Sequence, residues 1–106
     1  MESRRISEHV AFSEEKMRKN SLFDSPYLFY DTYCLLPGQS QKVHAHEGLD
    51  KIYYVLEGTA RFTIGEEEQD LGAGHAVIAR AGHPHGVRND TRENLVLLVT
   101  MAPRPS

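Results

Sequence analysis

With 106 residues, 40% of them hydrophobic, and a formal charge of -3, the chain has room for one core and no second, since a chain this short buries roughly two-thirds of its unfolded surface. Basic residues are scattered and the run Glu66-Glu67-Glu68 falls in a turn-like stretch, which excludes a nucleic-acid footprint; Cys34 is the only cysteine, which excludes an internal disulfide, a cysteine zinc cage or an iron–sulfur site within one chain. No window approaches the roughly 18 to 20 apolar residues of a membrane span, and Met1-Glu2-Ser3-Arg4-Arg5 lacks a secretory apolar run, so the expectation is a soluble cytoplasmic protein with a small-molecule partner and neither a nucleic-acid nor a membrane partner.

Residues 13–19 admit a brief helical turn capped by Ser13, but their apolar positions sustain no helical stripe. Residues 1–25 are therefore expected to form a short helical or irregular segment, packed on residues 26–106 or exchanged between two copies. From residue 26 onward the chain reads as strands and turns. Residues 27–36 are aromatic and branched, Pro37-Gly38-Gln39-Ser40 breaks them, and residues 41–46 are extended again. A turn at Glu47-Gly48-Leu49 leads to a strong strand at 51–56. Gly58 interrupts before 59–64, where Ala60, Phe62 and Ile64 alternate with Thr59, Arg61 and Thr63, the mark of a half-buried strand. Residues 65–69 read as a polar hairpin turn, Gly72 and Gly74 mark a bend, 76–79 a short strand, and 95–101 a continuous apolar one. Short strands every eight to twelve residues with glycine turns describe an all-β antiparallel sandwich or barrel. Cys34, within Tyr33-Cys34-Leu35-Leu36, reads as a buried small hydrophobe.

Three histidines stand out against this pattern. His44 and His46 are two apart, so in a strand they leave the same face, and a partner strand carrying His85, in Gly82-His83-Pro84-His85, completes a three-imidazole metal site. Neutral imidazoles suit iron, manganese, nickel, copper or zinc. Three on one side of an ion leave positions open for water, dioxygen or a chelating substrate, an arrangement that suits catalysis rather than a closed structural site.

Two spans carry a family resemblance. Gly38, five residues, His44-Ala45-His46, four residues, Lys51, six residues and Gly58 resemble the first cupin motif, which has glutamate where Lys51 stands. Gly74, five residues, Arg80-Ala81-Gly82, two residues, His85, three residues and Asn89 resemble the second, which has proline where Arg80 stands. The resemblance implies a small single-domain cupin, a double-stranded β-helix or jelly-roll barrel, often dimeric, with a divalent transition metal in the barrel mouth. Cupins include dioxygenases, epimerases and isomerases, decarboxylases, sensors and storage proteins, so the likeness implies the fold more sharply than the reaction. A three-histidine set is similar to that of cupin thiol dioxygenases.

The remaining candidates follow from the departures. An ammonium cannot ligate, so Lys51 either holds an anionic substrate such as a carboxylate or snorkels to solvent as barrel decoration. Alternation sends Asp50 to the opposite face, where a turn or surface ion pair is its expected role rather than metal ligation. On the Lys51 face Tyr53 and Val55 point inward, followed by Ala60 and Phe62, making Lys51, Tyr53 and Phe62 the candidate substrate pocket, with Tyr33 and Met101 as weaker members. His75 reads as a solvated turn residue, His83 as a rim residue with a proton relay as the alternative, and His9 as exposed. The apolar strand at 95–99 needs cover on both faces, from the N-terminal segment or a second copy, and a homodimer is expected. Two functional classes stay open: a metal-dependent enzyme of dioxygenase or isomerase type acting on a small molecule, and a non-catalytic binding or sensing protein, with or without metal.

Overall fold

In a computed structural model that describes residues 1–105, a 3-10 turn at Ile6–His9 precedes nine strands: β1 (Arg18–Asp24), β2 (Phe29–Leu35), β3 (Ser40–His44), β4 (Asp50–Glu57), β5 (Thr59–Ile64), β6 (Glu67–Gly72), β7 (Ala76–Ala79), β8 (His85–Arg88) and β9 (Leu95–Ala102). They form two antiparallel sheets, β1-β2-β9-β4-β7 and β3-β8-β5-β6. This is the all-β architecture that the motifs imply.

Alternation explains which residues meet between the sheets. In β4, Lys51, Tyr53 and Val55 are buried while Ile52, Tyr54 and Leu56 face outward; in β5, Ala60 and Phe62 point inward. These side chains join Tyr33 and Leu35 of β2, Val87 of β8 and Leu95, Leu97 and Val99 of β9 in one core. Strand β9 lies centrally between β2 and β4, with Val96 buried and Leu98 and Thr100 half-buried on its outer face, and the N-terminal segment is fastened to the same face of β2. There Thr32 donates to the carbonyl of His9 (2.6 Å) and Asn20 to that of Ala11 (3.2 Å), over the neighbours Cys34 and Val96, both buried. His9 is accordingly half-buried rather than exposed.

Two strands differ from the sequence reading. Residues 13–19 form no helical turn: bends at 14–16 lead into β1, whose polar sequence pairs along β2. The hairpin turn at 65–69 is shorter than expected, and Glu67–Gly72 continues as β6 along β5. Both are sheet edges, where charged side chains discourage further pairing and where β-propensity is a poor guide.

Tight joints hold the strand ends opposite the histidines. Gly58 has φ +87°, and a Cβ there would collide with the backbone oxygen of Asn94. Asn89 is fully buried and binds the carbonyls of Leu35 (3.0 Å) and Glu93 (2.7 Å), while its own Oδ1 accepts from the amide and hydroxyl of Thr91 (3.1 and 2.8 Å). One side chain thus ties the end of β2 to the connection between β8 and β9, with its polar atoms satisfied.

Candidate metal centre

Strand pairing brings the histidines together. His44 closes β3 opposite His85, which opens β8, and their Cα positions are register partners. His46 lies two residues past the strand, where the amide of Gly82 donates to its carbonyl (2.8 Å), so the turn before β8 is fastened to the turn after β3. The ring centres are 4.7 Å apart for His44–His46, 4.4 Å for His44–His85 and 5.4 Å for His46–His85. One nitrogen from each lies within 4.8 Å of the others.

Backbone carbonyls determine which nitrogen is free. Nδ1 of His44 faces the carbonyl of Lys42 at 2.7 Å, and Nδ1 of His85 faces that of His83 at 3.0 Å. A carbonyl only accepts, so these Nδ1 atoms carry the hydrogen and each Nε2 keeps its lone pair. Nε2 of His85 is buried without a partner, and Nε2 of His44 sits 3.1 Å from Nε2 of His46. Two imidazole nitrogens bonded to one ion at about 2.1 Å would stand roughly 3.0 to 3.4 Å apart, so the donor set fits a divalent transition metal. Burial lowers the pKa of His85 to about 4, and burial with His44 and Lys51 nearby lowers that of His46. At neutral pH these rings are uncharged acceptors.

Lys51 does not snorkel. It is 1% exposed, its Nζ donates to Gln41 Oε1 at 3.2 Å, and the ammonium lies 4.9 Å from the ring centres of both Tyr33 and Tyr53. Burial lowers its pKa to about 7, with Lys19 adding to the effect and Asp31 opposing it. The hydroxyl of Tyr53 donates to the same Gln41 oxygen (3.1 Å), and its ring centre is 6.3 Å from that of His85, so Tyr53 neighbours both the lysine and the histidine cluster. Phe62 packs behind Tyr53 at 5.2 Å within the core.

Other sequence candidates lie elsewhere. Asp50 accepts from the amide of Ala81 (2.8 Å), a joint between β4 and the turn before β8. His75 is exposed and bound to the carbonyl of Gly72 (2.9 Å); His83 is exposed and offers His85 its carbonyl. Gln41 was not legible as a site residue: a register shift between Gln41 and His44 breaks the parity by which strand faces are assigned.

Comparison with known proteins gives a consistent picture. The profile of the cupin domain family matches residues 32–101. A protein named oxalate-binding protein, from Thermotoga maritima, is 31% identical over 67 residues, covering 63% of this chain and 55% of its own length. The chain spans little more than half the length of the curated relatives it matches. Among solved structures, TT1209 from Thermus thermophilus superposes with a TM-score of 0.96 at 50% identity, over 99% of this chain and 100% of the other. An RmlC-like cupin protein from Desulfovibrio desulfuricans superposes with a TM-score of 0.86 at 28% identity, over 99% of both chains.

Proposed function

We propose that this chain, which belongs to the cupin domain family, holds one divalent transition metal on His44, His46 and His85 and offers it to a small molecule inside the barrel. The observation that carries this reading is the buried, unpartnered Nε2 of His85 aimed at the two neighbouring imidazoles. A desolvated acceptor with nothing to accept from is costly, and a metal ion would satisfy it. The bound ion would supply Lewis acidity and open positions for water, dioxygen or a chelating substrate. The carbonyls of Lys42 and His83 hold two rings in one tautomer, and the joints at Gly82 and Asp50 hold the turns that carry them. A metal-dependent enzyme of dioxygenase or isomerase type is the first reading of such a site.

A second reading has its own support. Lys51 stands where the cupin motif has glutamate, and the carboxylate beside it, Asp50, is committed to the Ala81 amide. A site without that carboxylate suits binding or sensing without turnover, and the Thermotoga relative is named for binding oxalate. Metal content per protomer of untagged protein, purified without a nickel column or chelator, tests the shared premise. Near one equivalent of iron, manganese, nickel, copper or zinc is expected; no uptake even with excess divalent ions would overturn it. Oxygen consumption by the loaded protein with candidate small acids then separates the enzyme from the binding protein.

The reading includes a homodimer. Ile52, Tyr54 and Leu56 form an exposed apolar row on the outer face of β4, a surface that a second copy would bury. Sedimentation equilibrium is expected to return twice the chain mass, and Tyr54→Glu to return the single-chain mass; a monomeric parent protein would remove the dimer.

A further inference from the structure

Beside the histidines the polar groups are unbalanced. Lys51 Nζ and Tyr53 OH both donate to a single neutral acceptor, Gln41 Oε1, at 3.2 and 3.1 Å. The hydroxyl of Tyr33, buried with its whole side chain, has no partner; the Gln41 amide lies beside it without completing a hydrogen bond. Lys19 adds a second cation 5.2 Å from the Tyr33 ring centre. Among the described residues no carboxylate forms an ion pair with Lys51 or Lys19. Asp31 is the acid within electrostatic reach, and burial pushes its carboxyl up, away from the charged form.

Two donors sharing one amide oxygen and a third left without an acceptor, with a buried cation and no counter-ion, describe the complement of an anion. The two bonds to Gln41 are longer than the ~2.7 to 2.9 Å of a charge-assisted contact, so a carboxylate would be the better acceptor. Gln41 also lines a cleft of 620 Å³ between residues 13–19 and β3, whose flanking side chains include Lys16, Arg18 and Lys19 against the single acid Glu15. Swinging the amide into that cleft would free the position its oxygen now holds and leave a basic approach to it.

We propose that a carboxylate of a small organic acid binds inside the barrel in place of Gln41 Oε1, held by Lys51 Nζ, Tyr53 OH and Tyr33 OH. Gln41 is then an internal competitor, occupying the anion's position when the ligand is away. The inference deepens the small-molecule reading above and rests on it for the placement of the ligand in the barrel, but its donors are distinct from the three histidines.

Calorimetry with malonate and its uncharged analogue malonamide tests it, on protein stripped of metal and again after loading. Stripped wild-type protein is expected to bind malonate, and malonamide at least tenfold more weakly. Lys51→Met is expected to lose at least tenfold in malonate affinity, whereas Gln41→Ala gains affinity because the competitor is gone. Equal binding of the two probes, no malonate binding to stripped protein, or an unaltered affinity in Lys51→Met would overturn the proposal. Malonate binding that requires metal and survives Lys51→Met would do so too, while leaving the metal site standing. Malonate binding that depends on Lys51 in a protein that never takes up metal would uphold the anion site and remove the metal one.

Discussion

His85→Ala is expected to release the metal: the loaded wild-type protein keeps close to one equivalent after desalting, and the variant keeps almost none. Removing groups that merely orient a metal-bound histidine typically costs about 10- to 100-fold in affinity, so deletion of a ligand should cost at least about 100-fold. His85 is the most informative of the three because it is buried and its Nε2 has no other partner. His44 and His46 are half-buried, so their nitrogens keep access to water when the ion is absent, whereas His85 is held inside by burial and the His83 carbonyl. Because an alanine at a buried position leaves a cavity, His44→Ala serves as the companion variant and circular dichroism as the control for folding. Near-stoichiometric metal in both folded variants would exclude the three-histidine centre.

Lys51→Met is expected to make the metal-free protein more stable at neutral pH, by about 1–4 kcal/mol, taking as a guide the range seen when buried ion pairs are replaced by apolar side chains. Methionine fills a similar volume between Tyr33 and Tyr53 and needs no counter-ion. The pH dependence isolates the cause. The folded-state pKa of Lys51, about 7, lies below the ordinary 10.5. Between these values the unfolded chain holds a proton that the folded chain has given up, so stability rises with pH above about 7. Below about 7 both states are protonated and the cost of burying the ammonium is felt in full. Urea unfolding is expected to show wild-type stability increasing from about pH 7 to 9, with that increase reduced in Lys51→Met. A variant that is less stable than wild type at pH 7, with the same pH slope, would show that the lysine is held by contacts stronger than its desolvation. A stabilising loss of this kind would mark Lys51 as retained for something other than stability.

Much of this arrangement was legible in the sequence, and the parts that were not have physical reasons. Strands β4, β5 and β9 announced themselves because they are central and their burial follows either strict alternation or a continuous apolar run. Spacing put His44 and His46 on one face, the resemblance to the two cupin motifs added His85, and strand pairing brings the three together. Strands β1 and β6 were hidden because Arg-Lys-Asn-Ser-Leu-Phe-Asp and Glu-Glu-Gln-Asp-Leu-Gly carry the charges that suit an edge. Gln41 was hidden by the register shift in β3, since a bulge moves a side chain to the face that parity forbids. The setting of Lys51 was open because alternation gives a direction and not a depth. Whether its ammonium reached solvent depended on Tyr53 of its own strand and on Tyr33 and Gln41, brought to it from two others.

The position of β9 has a bearing on how the chain acquires its shape. Neither β2 nor β4 has the other as a neighbour; each pairs with β9, which comes last of the nine strands. The larger sheet is therefore closed by contacts between residues far apart in sequence, a topology that folds slowly because loop entropy is lost before the pairing repays it. All three histidines have left the ribosome before Leu95 has, yet the β1-β2 and β4-β7 pairs behind them are joined into one sheet only when β9 arrives. Until then a nascent chain would offer His44 and His46 as a loose pair, and tight metal capture would belong to the finished barrel, which the metal would in turn favour by mass action.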